Sequence, residues 1–337
     1  MQKIIVTGGA GFIGSHTVVE LCAAGYLPVI VDDLRNSDER VLEGLRRITG
    51  APVTLHRLDC TDPKAMEAVF ARESPVHGAI HFAAYKAVGE SMAEPMKYYH
   101  NNIGSLVVLM EALRRHGTKA LVFSSSCTVY GQPRTLPVTE ASPDHTAASP
   151  YGWTKVMCER IIRDECTADP ALKAMVLRYF NPIGAHPSAH IGELPIGVPN
   201  NLVPYVTQAA AGLRDRLTVN GDDYDTPDGS CVRDYIHVVD LAKAHVKALQ
   251  RVISEPGPLH DVVNLGAGKG NSVLEVVRVF EEVTGIKVPF RIGPRRSGDV
   301  ASVYADTTKS HAVLDWKCEL DLADALRDAW HWQQNLA

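Results

Sequence analysis

Lys3-Ile4-Ile5-Val6-Thr7-Gly8-Gly9-Ala10-Gly11-Phe12-Ile13-Gly14 is the stretch whose reading decides the fold. Its first five residues are short, apolar and rich in β-branched side chains, as a buried parallel strand requires. A glycine turn follows directly, and Ser15 to Ala24 carries the apolar spacing of a helix. Strand, glycine turn and helix make the first unit of a dinucleotide-binding sheet. Gly8 allows the tight turn, Gly11 lets the backbone approach a pyrophosphate, and Gly14 lets the helix pack closely on the strand. The helix N-terminus then faces the phosphates with free N–H groups and a partial positive charge. The next strand, Pro28 to Val31, runs into Asp32-Asp33. Asp32 stands where an acidic side chain accepts bonds from the adenosine ribose hydroxyls. A carboxylate there repels a ribose 2′-phosphate, which favours NAD over NADP, although Arg35 and Arg40 are close by. The competing reading of Asp32 is a cap for the helix that follows.

Working outward, strands are expected over 3–7, 28–31, 52–57, 77–82, 119–124 and 173–178. Helices are expected over 12–24, 38–48, 62–72, 91–116 and 150–167. This alternation predicts a parallel sheet with helices on both faces. Asn181 to Pro204 is rich in proline and glycine and reads as a long loop at a domain boundary. Beyond it, strands are expected near 217–219, 262–264 and 288–290, with helices near 201–213, 238–253, 272–284 and 322–335. The expected fold is α/β: a Rossmann-type doubly wound parallel sheet with a smaller C-terminal α/β substrate domain. Residues 1–180 form the first domain and 181–337 the second, with a segment of about 234–270 returning to the first.

Ser149-Pro150-Tyr151-Gly152-Trp153-Thr154-Lys155 carries the chemistry. Pro150 suits the first position of a helix, where its missing N–H leaves no bond unmade. Tyr151 and Lys155 are one turn apart and share a face. A phenol titrates near ~10, too high for a base at neutral pH. A fixed ammonium nearby favours phenolate and is expected to lower that value. The phenolate then takes an alcohol proton while the alcohol carbon loses a hydride. Strand 119–124 leads into Ser124-Ser125-Ser126, and Ser126 is placed to bond a substrate hydroxyl and orient the transfer to Tyr151. A plain surface helix and a plain serine loop are the alternatives. Beyond other strand ends lie Asp59-Cys60, with Asp59 either on the adenine amino group or capping 62–72, and Phe82-Ala83-Ala84, followed by Lys86. Asn101 and Asn102 are polar residues in an otherwise apolar helix, where Asn is a poor helix former.

The chain has 337 residues, 45% of them hydrophobic, and a net charge of -5. That charge, with no basic run, argues against nucleic acid as a partner. No apolar stretch approaches the ~18 residues of a membrane span. A glycine turn beginning at residue 8 leaves no room for a cleaved signal. The 7 cysteines are scattered without a Cys-x-x-Cys pair and read as free thiols in a cytoplasmic protein. The 14 histidines show no metal spacing, so no metal is expected.

With these residues in view, the chain resembles the extended short-chain dehydrogenase/reductase superfamily, and within it the UDP-glucose 4-epimerase family. The likeness runs through Thr7 to Gly14, Lys86 to Ser91, Ser124 to Gly131, Tyr151 with Lys155, and Arg178 to Pro182. It continues in Pro199 to Leu202, Val232 to Val238, Asn264 to Gly268 and Arg295 to Asp299. It implies tightly held NAD, with Tyr151 as base, Lys155 on the nicotinamide ribose and Ser126 on the sugar 4-hydroxyl. The cofactor set it implies adds Phe12, Ile13, Asn36, Ser37, Asn101 and Phe180 to the residues named above. For a UDP-hexose substrate it implies diphosphate contacts from Arg233 and Arg296, and sugar-phosphate contacts from Asn181, Asn201 and Leu202. Tyr235 and Asp299 lie near the diphosphate and uridine ribose on this reading, and Leu217 to Asn220 flanks uracil. Each arginine's alternative is a surface ion pair.

The implied activity is interconversion of UDP-glucose and UDP-galactose through a 4-keto sugar that turns over and takes the hydride back. Val303 falls where a large aromatic restricts sugar size in the family, so UDP-N-acetylglucosamine and UDP-N-acetylgalactosamine are expected to fit too. Trp153-Thr154, Cys127 and Ala84-Tyr85 depart from the family pattern without removing a proton or hydride carrier. A 4,6-dehydratase would carry Asp-Glu after the serine position, where this chain has Cys127-Thr128. A UDP-glucuronate epimerase is excluded only weakly. A non-catalytic NAD-dependent regulator is disfavoured by the intact Tyr151, Lys155 and Ser126. Pairing of helices 91–116 and 150–167 between two copies would make a homodimer.

Overall fold

Six strands of the first half and one late segment make a single seven-stranded parallel sheet in the computed structural model, which describes residues 1–142, 147–296 and 299–336. The strands are β1 (Lys3–Thr7), β2 (Leu27–Asp32), β3 (Thr54–Arg57), β4 (Gly78–His81), β5 (Ala120–Ser126) and β6 (Lys173–Tyr179), in the order β3-β2-β1-β4-β5-β6. Strand alternation assigns the two faces. Ile4 and Val6 point to one side, under α1 (Phe12–Ala23) and α2 (Arg40–Thr49). Ile5 points to the other, under α3 (Pro63–Glu73). Helices on both faces of a parallel sheet make the Rossmann-type doubly wound architecture. The order reverses direction at β1, between β2 and β4, and ligands of such sheets bind beyond the carboxyl ends at that switch point.

The helix expected over 91–116 is divided. Its parts are α4 (Val88–Ala93), α5 (Pro95–Tyr98), a π-helical turn (Tyr99–Ile103) and α6 (Gly104–Arg115). Pro95 supplies no N–H and ends α4, and Glu94 leaves the helical region with φ -128 and ψ 59. Leu106, Leu109 and Leu113 of α6 pack beside Ile162 of α7 (Pro150–Ala168) on the second face. Ser149 caps α7, accepting from the Gly152 N–H at 3.2 Å, with Pro150 in the first turn.

The stretch expected as loop begins with a strand, β7 (Asn181–Ile183), and only then loosens before α8 (Leu202–Ala210). β8 (Leu217–Asn220) follows, and then β9 (Val232–His237), which pairs with β7. α9 (Val238–Ser254) covers the first sheet, and β10 (His260–Leu265) joins that sheet alongside β6. β11 (Gly270–Ser272) and α10 (Val273–Thr284) come next, the helix opened by a capping box of Ser272 and Glu275. β12 (Phe290–Gly293) pairs with β8 two residues later than expected. Val288 is the buried residue there, whereas Phe290 and Ile292 are exposed on a two-stranded ribbon, so apolarity marks the wrong residues. β13 (Ser302–Val303) pairs with β9, and α11 (Thr308–Leu314) and α12 (Leu322–Gln334) close the chain. β9, β11 and β13 escape sequence reading because they are short and mixed in polarity. Asp234 of β9 ties them together, accepting from the backbone of Ala267, Gly268 and Ala305 at 2.7, 3.1 and 3.0 Å.

Candidate functional site

The turn between β1 and α1 is a cradle made of missing side chains. A Cβ on Gly14 would stand 2.2 Å from the Gly8 carbonyl oxygen, and one on Gly8, at φ +70, would stand 2.7 Å from the Ala83 nitrogen. Gly11 faces open space except for the Gly8 oxygen at 3.2 Å, so its backbone is approachable. Gly11 is also the cap of α1 and makes no side-chain bond, which leaves the first-turn N–H groups available.

Asp32 ends β2 beside this cradle and is nearly buried. Its carboxylate accepts from Ala10 N at 3.0 Å, Leu34 N at 2.9 Å and Ser37 Oγ at 2.9 Å. Burial raises its pKa against those three bonds. Arg35 and Arg40 are both already paired. Arg35 meets Asp33 at 2.8 Å, the Tyr85 hydroxyl at 3.0 Å and Asp59, while Arg40 meets Asp38 at 2.9 Å. The cap of α3 is Asp62, which accepts from Lys64 and Ala65. Asp59 instead bonds Thr61 and Arg35, so the capping alternative for Asp59 falls.

Tyr151 and Lys155 are both buried, on one face of α7 over the end of β5. The Lys155 ammonium donates to the Ser124 carbonyl at 2.7 Å and lies 5.9 Å from the centre of the Tyr151 ring. The expected lowering of the phenol pKa is not what the structure gives. Burial pushes Tyr151 up, nearby Tyr179 adds to the rise, and the Ser126 hydroxyl opposes it. Burial also lowers Lys155, to about 8. The physical reason is that enclosure penalises every charged form, and a cation at this distance offsets only part of it. Ser126 caps a short 3-10 turn, accepting from Thr128 N at 3.2 Å.

In the second half, Arg233 and Arg296 share one carboxylate. Asp299 takes Arg233 at 3.4 Å and Arg296 at 2.8 Å. The ion-pair reading and the ligand-facing reading of these arginines therefore hold together, since all three residues face the same cleft. Ser297 and Gly298 of that motif lie outside the described residues. Asn181 Oδ1 is buried without a partner. Asn201 donates to Glu193, Leu202 begins α8, and Tyr235 is buried on β9. Val303 packs with Val129, Tyr130 and Phe180.

One cleft of about 1940 Å³ collects every position expected at the site. Phe12 and Ile13 open α1; Asn36 and Ser37 follow β2; Asp59 and Cys60 follow β3. Phe82, Ala83, Ala84 and Lys86 follow β4, Asn101 sits in the π-helical turn, and Phe180 follows β6. Residues outside the expected contact set have supporting parts. Asn102 is buried; it accepts from Tyr85 N at 2.9 Å and donates to Tyr85 O at 3.0 Å and Thr154 Oγ1 at 3.1 Å. Arg178 of β6 and Glu159 of α7 form a buried bidentate pair, at 2.9 and 2.6 Å. Arg178 also donates to Tyr130 at 3.0 Å, and Ser125 donates to Glu159. The motif around Arg178 was visible in sequence; its partner was not. Among the described residues, no group of three or more His, Cys, Asp or Glu side chains is arranged to hold a metal ion, and no helix is long and apolar enough to cross a membrane.

Known proteins share this arrangement. A family model described as the NAD dependent epimerase/dehydratase family matches residues 4–266. A curated UDP-glucose 4-epimerase of Bacillus subtilis (strain 168) is 52% identical over 334 residues, spanning 99% of this chain and 97% of its own. The crystal structure of UDP-glucose-4-epimerase from Stenotrophomonas maltophila, with bound NAD and formylated UDP-arabinopyranose, matches with a TM-score of 0.96 at 47% identity. That match covers 100% of this chain and 99% of the other. UDP-glucose 4-epimerase from Bifidobacterium longum, in complex with NAD+ and UDP, matches with a TM-score of 0.95 at 47% identity over 99% and 98% of the two chains.

Proposed function

The chain belongs to the NAD dependent epimerase/dehydratase family, and from that premise we propose that it inverts carbon 4 of UDP-hexoses, interconverting UDP-glucose and UDP-galactose. The observation that carries this reading is a buried Tyr151–Lys155 pair, with Ser126, in the same cleft as the glycine cradle.

The residues fit NAD. The glycine cradle leaves its open side at Gly11, Asp32 stands at the end of β2, and the two arginines near it are paired with carboxylates rather than offered to a 2′-phosphate. Asn181 Oδ1, buried and unpaired, adds an acceptor on the substrate side. Bound NAD supplies the acceptor, and then the donor, of a hydride at sugar carbon 4, so that a 4-keto sugar turns between the two transfers. The Tyr151 phenol oxygen takes the 4-hydroxyl proton and returns it. Lys155 carries a proton below about 8 and opposes the effect of burial on the phenol. Ser126 orients the hydroxyl. Arg233 and Arg296, bridged by Asp299, grip the diphosphate with planar donors. Asn181, Asn201, Leu202 and Tyr235 hold the rest of the nucleotide sugar. Firm binding of the unreactive nucleotide keeps carbon 4 in place while the hexose stays free to turn.

Purified protein given UDP-galactose and no added NAD should form UDP-glucose, read by chromatography. Conversion only with stoichiometric NAD would make it a net dehydrogenase and sink this reading. Val303 is a small side chain lining the cleft, which supports turnover of UDP-N-acetylhexoses as well; no conversion of UDP-N-acetylglucosamine would overturn that extension.

The domain division we propose is residues 1–180 for the dinucleotide and 181–337 for the UDP-sugar, with about 234–270 returning to the first; α9 covering the first sheet and β10 joining it support the return. A homodimer through α6 and α7 is supported by Val107, Trp153 and Met157, which stay exposed on those helices. Light scattering reads that state directly. Seven unpaired thiols support a cytoplasmic setting.

A further inference from the structure

Glu193 lies between the two halves of the cleft. One of its carboxylate oxygens accepts from the Asn201 amide and from the Lys86 ammonium, the latter at 3.3 Å. Lys86 follows β4 on the dinucleotide side, and Asn201 stands at the head of α8 on the nucleotide-sugar side. The Glu193 side chain is 12% exposed, so its partners, not water, settle its orientation.

The backbone that carries Glu193 is fixed from both sides. A Cβ on Gly44 of α2 would stand 2.2 Å from the His190 carbonyl oxygen, so this segment rests directly on the dinucleotide half. A Cβ on Gly192 would stand 2.4 Å from the Trp332 ring, and the Trp332 indole donates to the Glu193 carbonyl at 3.0 Å, so α12 holds the same segment from the other half. Residues 190–193 form a strap across the cleft, and its one charged side chain reaches a candidate ligand contact on each side.

We propose that Glu193 is a positioning residue that couples the two binding sites: it fixes the Asn201 amide and the Lys86 ammonium together, so that filling one side strengthens the other. This rests on the function proposed above, which supplies the two ligands. Coupling of this kind is reciprocal in binding free energy, so UDP should tighten NAD by the same factor by which NAD tightens UDP. Glu193→Ala removes both bonds; Glu193→Gln keeps the shape and an acceptor but removes the charge that holds Lys86.

The test uses holoenzyme carrying its NAD. Release of NAD is followed by dilution and fluorescence, with and without UDP, and UDP affinity is measured by calorimetry. In the wild type UDP should slow NAD release. In Glu193→Ala that slowing should shrink towards none, and UDP affinity should fall on the order of tenfold, the scale of one bond to a charged group. Glu193→Gln should retain more of the UDP affinity than of the coupling. A KM for UDP-galactose that rises more than kcat falls would accompany both variants. Lys86→Met should weaken NAD binding and also abolish the coupling, and the coupling should fall no further when it is combined with Glu193→Ala. Wild-type coupling retained in Glu193→Ala, or full additivity with Lys86→Met, would overturn the proposal. Wild-type protein that binds neither NAD nor UDP would overturn the parent function instead.

Discussion

Replacing Lys155 by methionine keeps the volume of the buried side chain and removes its charge. The ammonium stands 5.9 Å from the centre of the Tyr151 ring. At that separation, with an effective dielectric of ~20, Coulomb's law gives ~2.8 kcal/mol in favour of the ionised phenol. Lost from the barrier, this is roughly a hundredfold in kcat. Lys155 titrates at about 8 in the folded protein, so the charge is present below that pH and lost above it. Wild-type kcat should therefore fall as pH rises through about 8, and the variant should lack that alkaline limb. Unfolding through this group does not explain such a fall. Its pKa is lowered on folding, so its contribution to stability grows as pH rises between about 8 and the ordinary lysine value of 10.5. The assay is conversion of UDP-galactose across pH 6–10 by about six buffers, on protein whose bound NAD is quantified in parallel. A Lys155→Met enzyme with full NAD content, kcat within about threefold of wild type and the alkaline limb intact would refute the electrostatic role.

Four other perturbations follow from single contacts. Gly14→Ala puts a methyl against the Gly8 carbonyl at 2.2 Å, so the protein should be purified without bound NAD; an unchanged cofactor absorbance would refute the cradle. Arg178→Met strands Glu159 in the interior and should cost about 3–5 kcal/mol in urea unfolding, whereas a loss under about 1 kcal/mol would deny the pair its structural weight. Asn102→Ala unpairs the Tyr85 backbone; about 1–3 kcal/mol for each stranded group should show as a lowered melting temperature, and no shift would count against it. Val303→Tyr fills the small space beside Phe180 and should depress turnover of UDP-N-acetylhexoses more than of UDP-galactose, the reverse order being the contrary result.

Most of the sheet was legible because its signals are local. β1, β2, β5 and β6 are apolar runs buried on both faces, and a run of that kind marks itself without its neighbours. The glycine turn, the Pro150 helix start and the Tyr–Lys spacing are equally local. The division of 91–116 was missed although Pro95 announces it, because the apolar period resumes on its far side. β12 was misplaced because an edge ribbon exposes Phe290 and Ile292, so hydrophobicity there does not mark burial. Glu193 carried no signal at all: its partner Lys86 lies far away in sequence, and nothing in the intervening residues encodes the meeting.

By itself the sequence determined which elements form, which residue types stand at the strand ends, and that a phenol and an ammonium share one helical face. These follow from periodicity, turn chemistry and spacing, all of which act over a few residues. Tertiary structure alone decided how those groups are charged and what each one touches. Enclosure moved Tyr151 up and Lys155 down, set two arginines on a single Asp299, and stretched Glu193 across the cleft. Desolvation and long-range contact depend on what surrounds a residue in space, and order along the chain does not record that.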